Sequence, residues 1–362
     1  MKNNPINLKF IAFILMALGI MAETDAQSVK MEKSSLQFSA GHDIRRVDIN
    51  NDYGHIQINT HDERSTLVIY TVHVEADERR YALQGLQLIR PQVETVHDTL
   101  LRIRTQITDR DQWERLRRHV LNYHVDYRIQ MPAQVKLKVE ADYATLDINR
   151  LDAPLSCEMD YGSLQIGELK AAANVIKGDY MDSVSVGFMR GGKLYTDYSD
   201  IRIGFAFNLG INGDYNSIRL NHIKNLKLYG DHNKVEIRRV KNLHAQGDYH
   251  ELGIGQIYNG HIDGDYLHVL VHRMVNGPYE LYLMGNYNDI DIRNERNIPF
   301  RLHLEGDFTL AFTKALQFVR NKGGLERITD AYYLDKNAPY FIHGYLENSE
   351  VKIMYIMPEK KH

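Results

Sequence analysis

The chain has 362 residues, 43% of them apolar and 25% charged, which is the balance of a folded protein and excludes an extended disordered one. Its formal net charge of −3 excludes recognition of nucleic acid or acidic membranes by bulk electrostatics. The single cysteine, Cys157, excludes an intramolecular disulfide, so packing and hydrogen bonds must hold the fold together.

Residues 1–26 read as a signal peptide. Lys2 and Lys9 precede the apolar run Phe10–Met21, and Ala22 or Ala26 offers a small residue before a cut. Twelve residues span about 18 Å as a helix, short of the ~30 Å hydrocarbon core of a bilayer. Cleavage is therefore expected rather than anchoring, and no later run is long enough to span a membrane. The mature protein is expected to be exported, to the periplasm, the cell surface or the medium.

Residues 27–135 are expected to form an N-terminal β region, with a first repeat phrase at Asp52-Tyr53. Thr66–Ala76, Asp98–Thr108 and Asn122–Pro132 alternate apolar and polar residues as longer strands do. Asp77–Ile89 and Asp109–Leu121 can each hold a short helix.

Residues 136–313 carry a regular repeat. The phrase recurs at Asp142-Tyr143, Asp160-Tyr161, Asp179-Tyr180, Asp197-Tyr198, Asp214-Tyr215, Asp231-His232, Asp248-Tyr249, Asp265-Tyr266, Asn286-Tyr287 and Asp307-Phe308. The steps are 17 to 21 residues, and such regularity marks a repeat architecture. Apolar residues stand five and three before each Asp, as Leu226 and Leu228 do, and four and six after it, as Val235 and Ile237 do. Pairs that skip one residue describe strands with one buried face. Two short strands bury no core alone, but stacked coils turn these positions into continuous apolar columns. The spacing predicts an all-β fold, a parallel β-helix or solenoid with coils of about 17–21 residues. Gly precedes the pair in seven copies, where the chain must turn, and the Asp is expected to accept a hydrogen bond from a backbone N–H two residues on. Cys157 falls on an inward column and is expected to be a buried, reduced, small apolar residue. Residues 314–362 are expected to form an excursion followed by a last degenerate coil, Tyr340–Pro358, that caps the open end.

The pattern resembles the adhesin-type β-solenoid families of bacterial envelopes, domains largely of unknown function. The resemblance rests on "VDINNDYGHIQI" (Val47–Ile58), "VDYRIQMPAQVKLKVEADYATLDI" (Val125–Ile148) and "EMDYGSLQIGEL" (Glu158–Leu169), and it covers roughly residues 36–315. It implies export and a right-handed β-helix, and it brings no catalytic residues.

The candidate binding face is the outward aromatic column: Tyr161, Tyr180, Tyr198, Tyr215, Tyr249, Tyr266 and Tyr287. Rings interleaved with Asp, Asn and Arg suit an envelope glycan or a protein, and they also suit bracing of the corners alone. No cofactor or metal is expected. The Asp column lacks the glycine-rich nonapeptide of calcium-binding β-rolls. His232, His244, His250, His261, His268 and His272 read as scattered surface imidazoles. The expected role is non-catalytic. Two alternatives stay open: a polysaccharide lyase or hydrolase on a β-helix, for which Asp182, Asp200, Asp289 and Asp291 could converge, and a scaffold that self-associates end to end through open strand edges.

Overall fold

The computed structural model describes residues 22–25, 28–39, 44–274, 279–312, 316–323 and 327–355; the expected signal peptide lies almost wholly outside them. Among the described residues the fold is all-β, with two short helices, and the chain divides into two compact units at Lys170/Ala171. Among the described residues no helix is long and apolar enough to cross a membrane.

Among its described residues unit 1 contains twelve strands. They are β1 (Ala22–Asp25), β2 (Ser28–Ser39), β3 (Arg46–Asn50), β4 (Gly54–His61), β5 (Thr66–Ala76), β6 (Ile89–Val96), β7 (Leu100–Ile107), β8 (Val120–Pro132), β9 (Lys136–Glu140), β10 (Ala144–Leu151), β11 (Leu155–Glu158) and β12 (Ser163–Leu169). Two parallel ladders run through it. In one, Ile49 of β3 sits beside Val139 of β9, and Val139 beside Cys157 of β11. In the other, Ile56 of β4 is followed by Leu146 of β10 and Leu164 of β12. The ninety-residue gap between the first two repeat phrases adds one strand to each ladder: β7 pairs parallel with β3, and β8 parallel with β4. The rest of that insertion pairs antiparallel, β5 with β8 and β6 with β7, and β2, which precedes the first phrase, adds antiparallel to β5. Helices α1 (Arg79–Leu88) and α2 (Arg110–Leu116) fall inside the two segments expected to hold them. The Asp109 carboxylate caps α2 by accepting the Gln112 N–H at 2.9 Å.

Unit 2 contains thirteen strands, β13 (Asn174–Lys177), β14 (Ser183–Tyr195), β15 (Asp200–Asn212), β16 (Ser217–Tyr229), β17 (Lys234–Gln246), β18 (Glu251–Asp263), β19 (His268–Val271), β20 (Glu280–Asn286), β21 (Asp289–Asn294), β22 (Phe300–Phe312), β23 (Gln317–Lys322), β24 (Arg327–Tyr333) and β25 (Tyr340–Tyr355). From β14 to β18 each strand has 13 residues and pairs parallel with the next one at an offset of 17. The two short strands expected per coil thus run together through the corner between them. The inward columns lie where the periodicity puts them. Val184, Ile201, Ile218, Val235, Leu252 and Val269 stand in register and are buried. Burying one such side chain fully contributes roughly 1.5–3 kcal/mol, so the column dominates the coil's stability.

The C-terminal segment departs from expectation. Tyr340–Tyr355 does not close the stack; β25 lies between β20 and β21 on one side and β22 on the other. The reason is in its residues. Glu347-Asn348-Ser349-Glu350-Val351-Lys352-Ile353 repeats the chemistry of Asp214-Tyr215-Asn216-Ser217-Ile218-Arg219-Leu220, and Asn348 takes the left-handed turn conformation at φ 49°. The Asp307-Phe308 copy does not: Phe308 is absent from the left-handed residues, and the ladder slips between Gly306 and Phe308. Beyond β22, the antiparallel strands β24 and β23 complete the unit.

Candidate functional site

The turns are built the same way each time. In unit 2, Gly213, Gly230, Gly247 and Gly264 have φ between 115° and 158°, and the aromatic residue two positions later is left-handed. At Gly230 an added Cβ would lie 2.2 Å from the Gly213 carbonyl oxygen, so only glycine lets the coils approach. Tyr180, Tyr198, Tyr215, His232, Tyr249, Tyr266 and Tyr287 all have φ between 51° and 58°. The Asp does not close its own turn. Its Oδ1 accepts the backbone N–H of the Asp in the next coil, as Asp197 does from Asp214 at 2.7 Å, Asp214 from Asp231 at 2.7 Å and Asp231 from Asp248 at 2.8 Å. The expected local bond is thus replaced by one between coils: the N–H two residues on, that of Asn216 for Asp214, donates to Asn233 Oδ1 in the next coil at 2.9 Å, and Tyr215 N–H donates to the Asp231 carbonyl at 3.1 Å. In unit 1, Asp52 and Asp142 accept in the same way at 3.2 Å.

The candidate residues of unit 2 come together as a stack. Ring centroids from Tyr180 to Tyr287 are 4.5–5.1 Å apart, and adjacent planes are within 7° of parallel. His232, not singled out as part of the face, fills the gap between Tyr215 and Tyr249. In unit 1, Tyr161 stacks with Tyr143 at 5.0 Å, and Tyr53 lies beyond Tyr143 at 5.4 Å. Each ring is about half exposed, Tyr198 at 50% and Tyr287 at 53%. Because neighbours cover the ring faces, the stack offers a row of ring edges and phenol hydroxyls. Desolvation by the flanking rings holds the Tyr198 and Tyr266 phenols above their ordinary range, so they stay protonated donors.

Behind the rings runs a buried polar column that periodicity did not reveal. Asn216 Oδ1 accepts the Ser199 N–H at 3.0 Å, and its Nδ2 donates to the Thr196 carbonyl at 2.6 Å. Asn233 repeats this with Asn216 and Gly213 at 2.9 and 2.7 Å. Then comes His250, which is 2% exposed and so no surface imidazole. Its Nδ1 accepts the Asn233 N–H at 3.2 Å, while Nε2 makes no well-formed hydrogen bond, although the ring interacts favourably with the Gln246 carbonyl. The signal was present in the sequence as Asn, Asn and His two residues after Asp214, Asp231 and Asp248.

Three of the four carboxylates considered for catalysis lie against basic side chains. Asp200 holds Arg202 at 2.7 Å and Arg219 at 3.2 Å, Asp289 faces His268 and Lys352, each at 3.3 Å, and Asp291 pairs with Arg293. A groove of about 630 Å³ in unit 2 follows the column Gly187, Gly204, Asn221, Arg238 and Gly255, away from the tyrosines. Cys157 is buried at 2% exposure, and desolvation pushes its thiol up to about 12, so it is no nucleophile at neutral pH.

No family model matches the chain, and no curated protein matches it either. Among solved structures, a putative cell adhesion protein from Clostridium sporogenes is similar at 9% identity, over 90% of this chain and 100% of its own, with a TM-score of 0.18. A putative adhesin from Bacteroides fragilis is similar at 11% identity and a TM-score of 0.24, and one from Parabacteroides distasonis at 10% and 0.26, each over 90% of this chain and 97% of its own. Superposition this poor supports neither a shared fold nor a shared function.

Proposed function

We propose that this chain is an exported, non-catalytic protein of adhesin type, built of right-handed parallel β-solenoid coils, that binds an extended envelope glycan along its tyrosine turns. Parallel pairing at a constant offset of 17 residues supports the solenoid, and the crossover rule for parallel strands supports its hand.

One observation carries the binding reading. Every ring sits on a left-handed residue, a conformation that strains a non-glycine residue by roughly 1–3 kcal/mol. Each stacked pair returns only about 0.5–1.5 kcal/mol, so the rings barely offset the strain they bring. Asn reaches the same turn with less strain, as Asn348 does in β25. Turn geometry alone therefore selects Asn or Gly, and the tyrosines answer to something outside the fold. Their spacing of 4.5–5.1 Å is close to the advance per sugar of an extended β-linked glycan, whose hydroxyls would meet the row of phenols.

The test is co-sedimentation of the purified protein with insoluble envelope polysaccharides, with supernatants assayed for reducing ends and unsaturated products. Binding without products is expected. Product release would replace this reading with the β-helix enzyme, and failure to pellet with any polysaccharide would replace it with a protein partner or self-assembly.

A further inference from the structure

We propose that His73, His124 and Asp126 form a site for a divalent transition-metal ion, Zn²⁺ in the first place, on the antiparallel strands β2, β5 and β8. Nothing in the tyrosine turns bears on it; the residues lie in the insertion of unit 1.

The site follows from register. Glu32 of β2 stands opposite His73 of β5, and His73 opposite His124 of β8. Asp126 lies two residues past His124, so it points to the same face, opposite the one that buries Val72, Val74, Val125 and Tyr127. Among the described residues, this is the one group of three such side chains whose ligand atoms all lie within 4.8 Å of one another.

The ligand atoms are already assigned by their other bonds. Asp126 Oδ1 accepts the His55 N–H at 2.9 Å, which pins the carboxylate and leaves Oδ2 turned toward His73 Nε2 at 3.4 Å. A tetrahedral ion with bonds of about 2.0–2.1 Å sets its ligands about 3.3–3.4 Å apart, so this pair already spans one edge. The Glu32 carboxylate lies 3.4 Å from His73 Nδ1. It can hold the proton there and free Nε2 for the ion, as outer carboxylates do for metal-bound imidazoles. The His124 ring stacks on His73 at 4.3 Å and 18°, so a small rotation brings its nitrogen to the third corner. An imidazolium held between two carboxylates would need no second imidazole beside it, whereas an ion does. The side chains of His73 and Asp126 are 28% and 35% exposed, which leaves a fourth position for water or for a donor atom from a partner. Two imidazoles and a carboxylate suit Zn²⁺, Cu²⁺ or Ni²⁺ and not Ca²⁺ or Mg²⁺.

The experiment is equilibrium dialysis of the EDTA-stripped full-length protein against Zn²⁺, with bound metal counted by mass spectrometry. One ion per chain is expected, together with a rise in melting temperature. His124→Ala and Asp126→Asn should each lower the affinity at least tenfold; the Asn keeps an acceptor for the His55 N–H, so this variant tests the ligand and not the fold. Glu32→Gln should weaken binding about tenfold while one ion still binds at saturation. Co²⁺ should give the visible bands of a four-coordinate nitrogen and oxygen site. Absence of bound Zn²⁺ would overturn the proposal. So would an affinity that survives both His124→Ala and Asp126→Asn, or one that disappears with His244→Ala or His261→Ala instead.

Discussion

Replacing His250 with Asn should make the protein more stable, and increasingly so in acid. His250 is fully buried in the polar column, and because Nδ1 accepts the Asn233 N–H, the proton must sit on Nε2, which makes no well-formed hydrogen bond. A buried donor without an acceptor costs about 1–3 kcal/mol. Asn216 and Asn233 send Nδ2 to the carbonyl twenty residues earlier, at 2.6 and 2.7 Å, and the same offset from position 250 reaches the Gly230 carbonyl. Losing the extra ring carbons removes about 1 kcal/mol of burial, so the net gain at pH 8 is about 1 kcal/mol. Burial lowers the His250 pKa below its ordinary 6.5, only partly opposed by Asp231 and Asp248. Between the two values the unfolded chain binds more protons than the folded one, so wild-type stability falls as the pH drops through 6.5. The Asn variant is free of this loss, and its lead should widen as the pH falls from 6.5 toward 5. His124, His244 and His343, also held below the ordinary range by burial, are present in both proteins and cancel. Urea midpoints at pH 8 and pH 5 measure both effects. A variant less stable than wild type, or a lead that does not grow in acid, would refute the reasoning.

Gly230→Ala should lower stability by more than 3 kcal/mol, read from the urea midpoint, because its Cβ would sit 2.2 Å from a backbone oxygen at φ 115°. Cys157 should resist a thiol reagent at pH 8 in the folded protein and react at once in denaturant, since its thiol is buried and pushed up to about 12.

Much of the stack was legible because its information is local. The alternation around each Asp placed Val235 and Ile237 inward, and the neighbouring coils bury them in register. What stayed hidden depends on partners that periodicity does not name. The Asp carboxylates bond across coils, and no spacing within one coil says so. The Asn216, Asn233 and His250 column was written in the sequence, yet polar residues beside a turn read as exposed until the next coil covers them. Strand β25 inserts before β22, and only the match between Glu347–Ile353 and Asp214–Leu220 announces it. The metal-site residues combine a short-range pair, His124 and Asp126, with His73 on another strand; antiparallel register joins them, and sequence spacing does not.

The tyrosine stack is the central claim, and the triple variant Tyr198→Asn, Tyr215→Asn, Tyr249→Asn tests it most directly. Asn occupies the left-handed turn more easily than Tyr, so lost stacking and relieved strain should nearly cancel. The account predicts a melting temperature within a few degrees of wild type and loss of co-sedimentation with the polysaccharide that the wild type binds. A variant that unfolds would show that the rings only brace the corners. One that stays folded and binds like the wild type would place recognition elsewhere on the molecule.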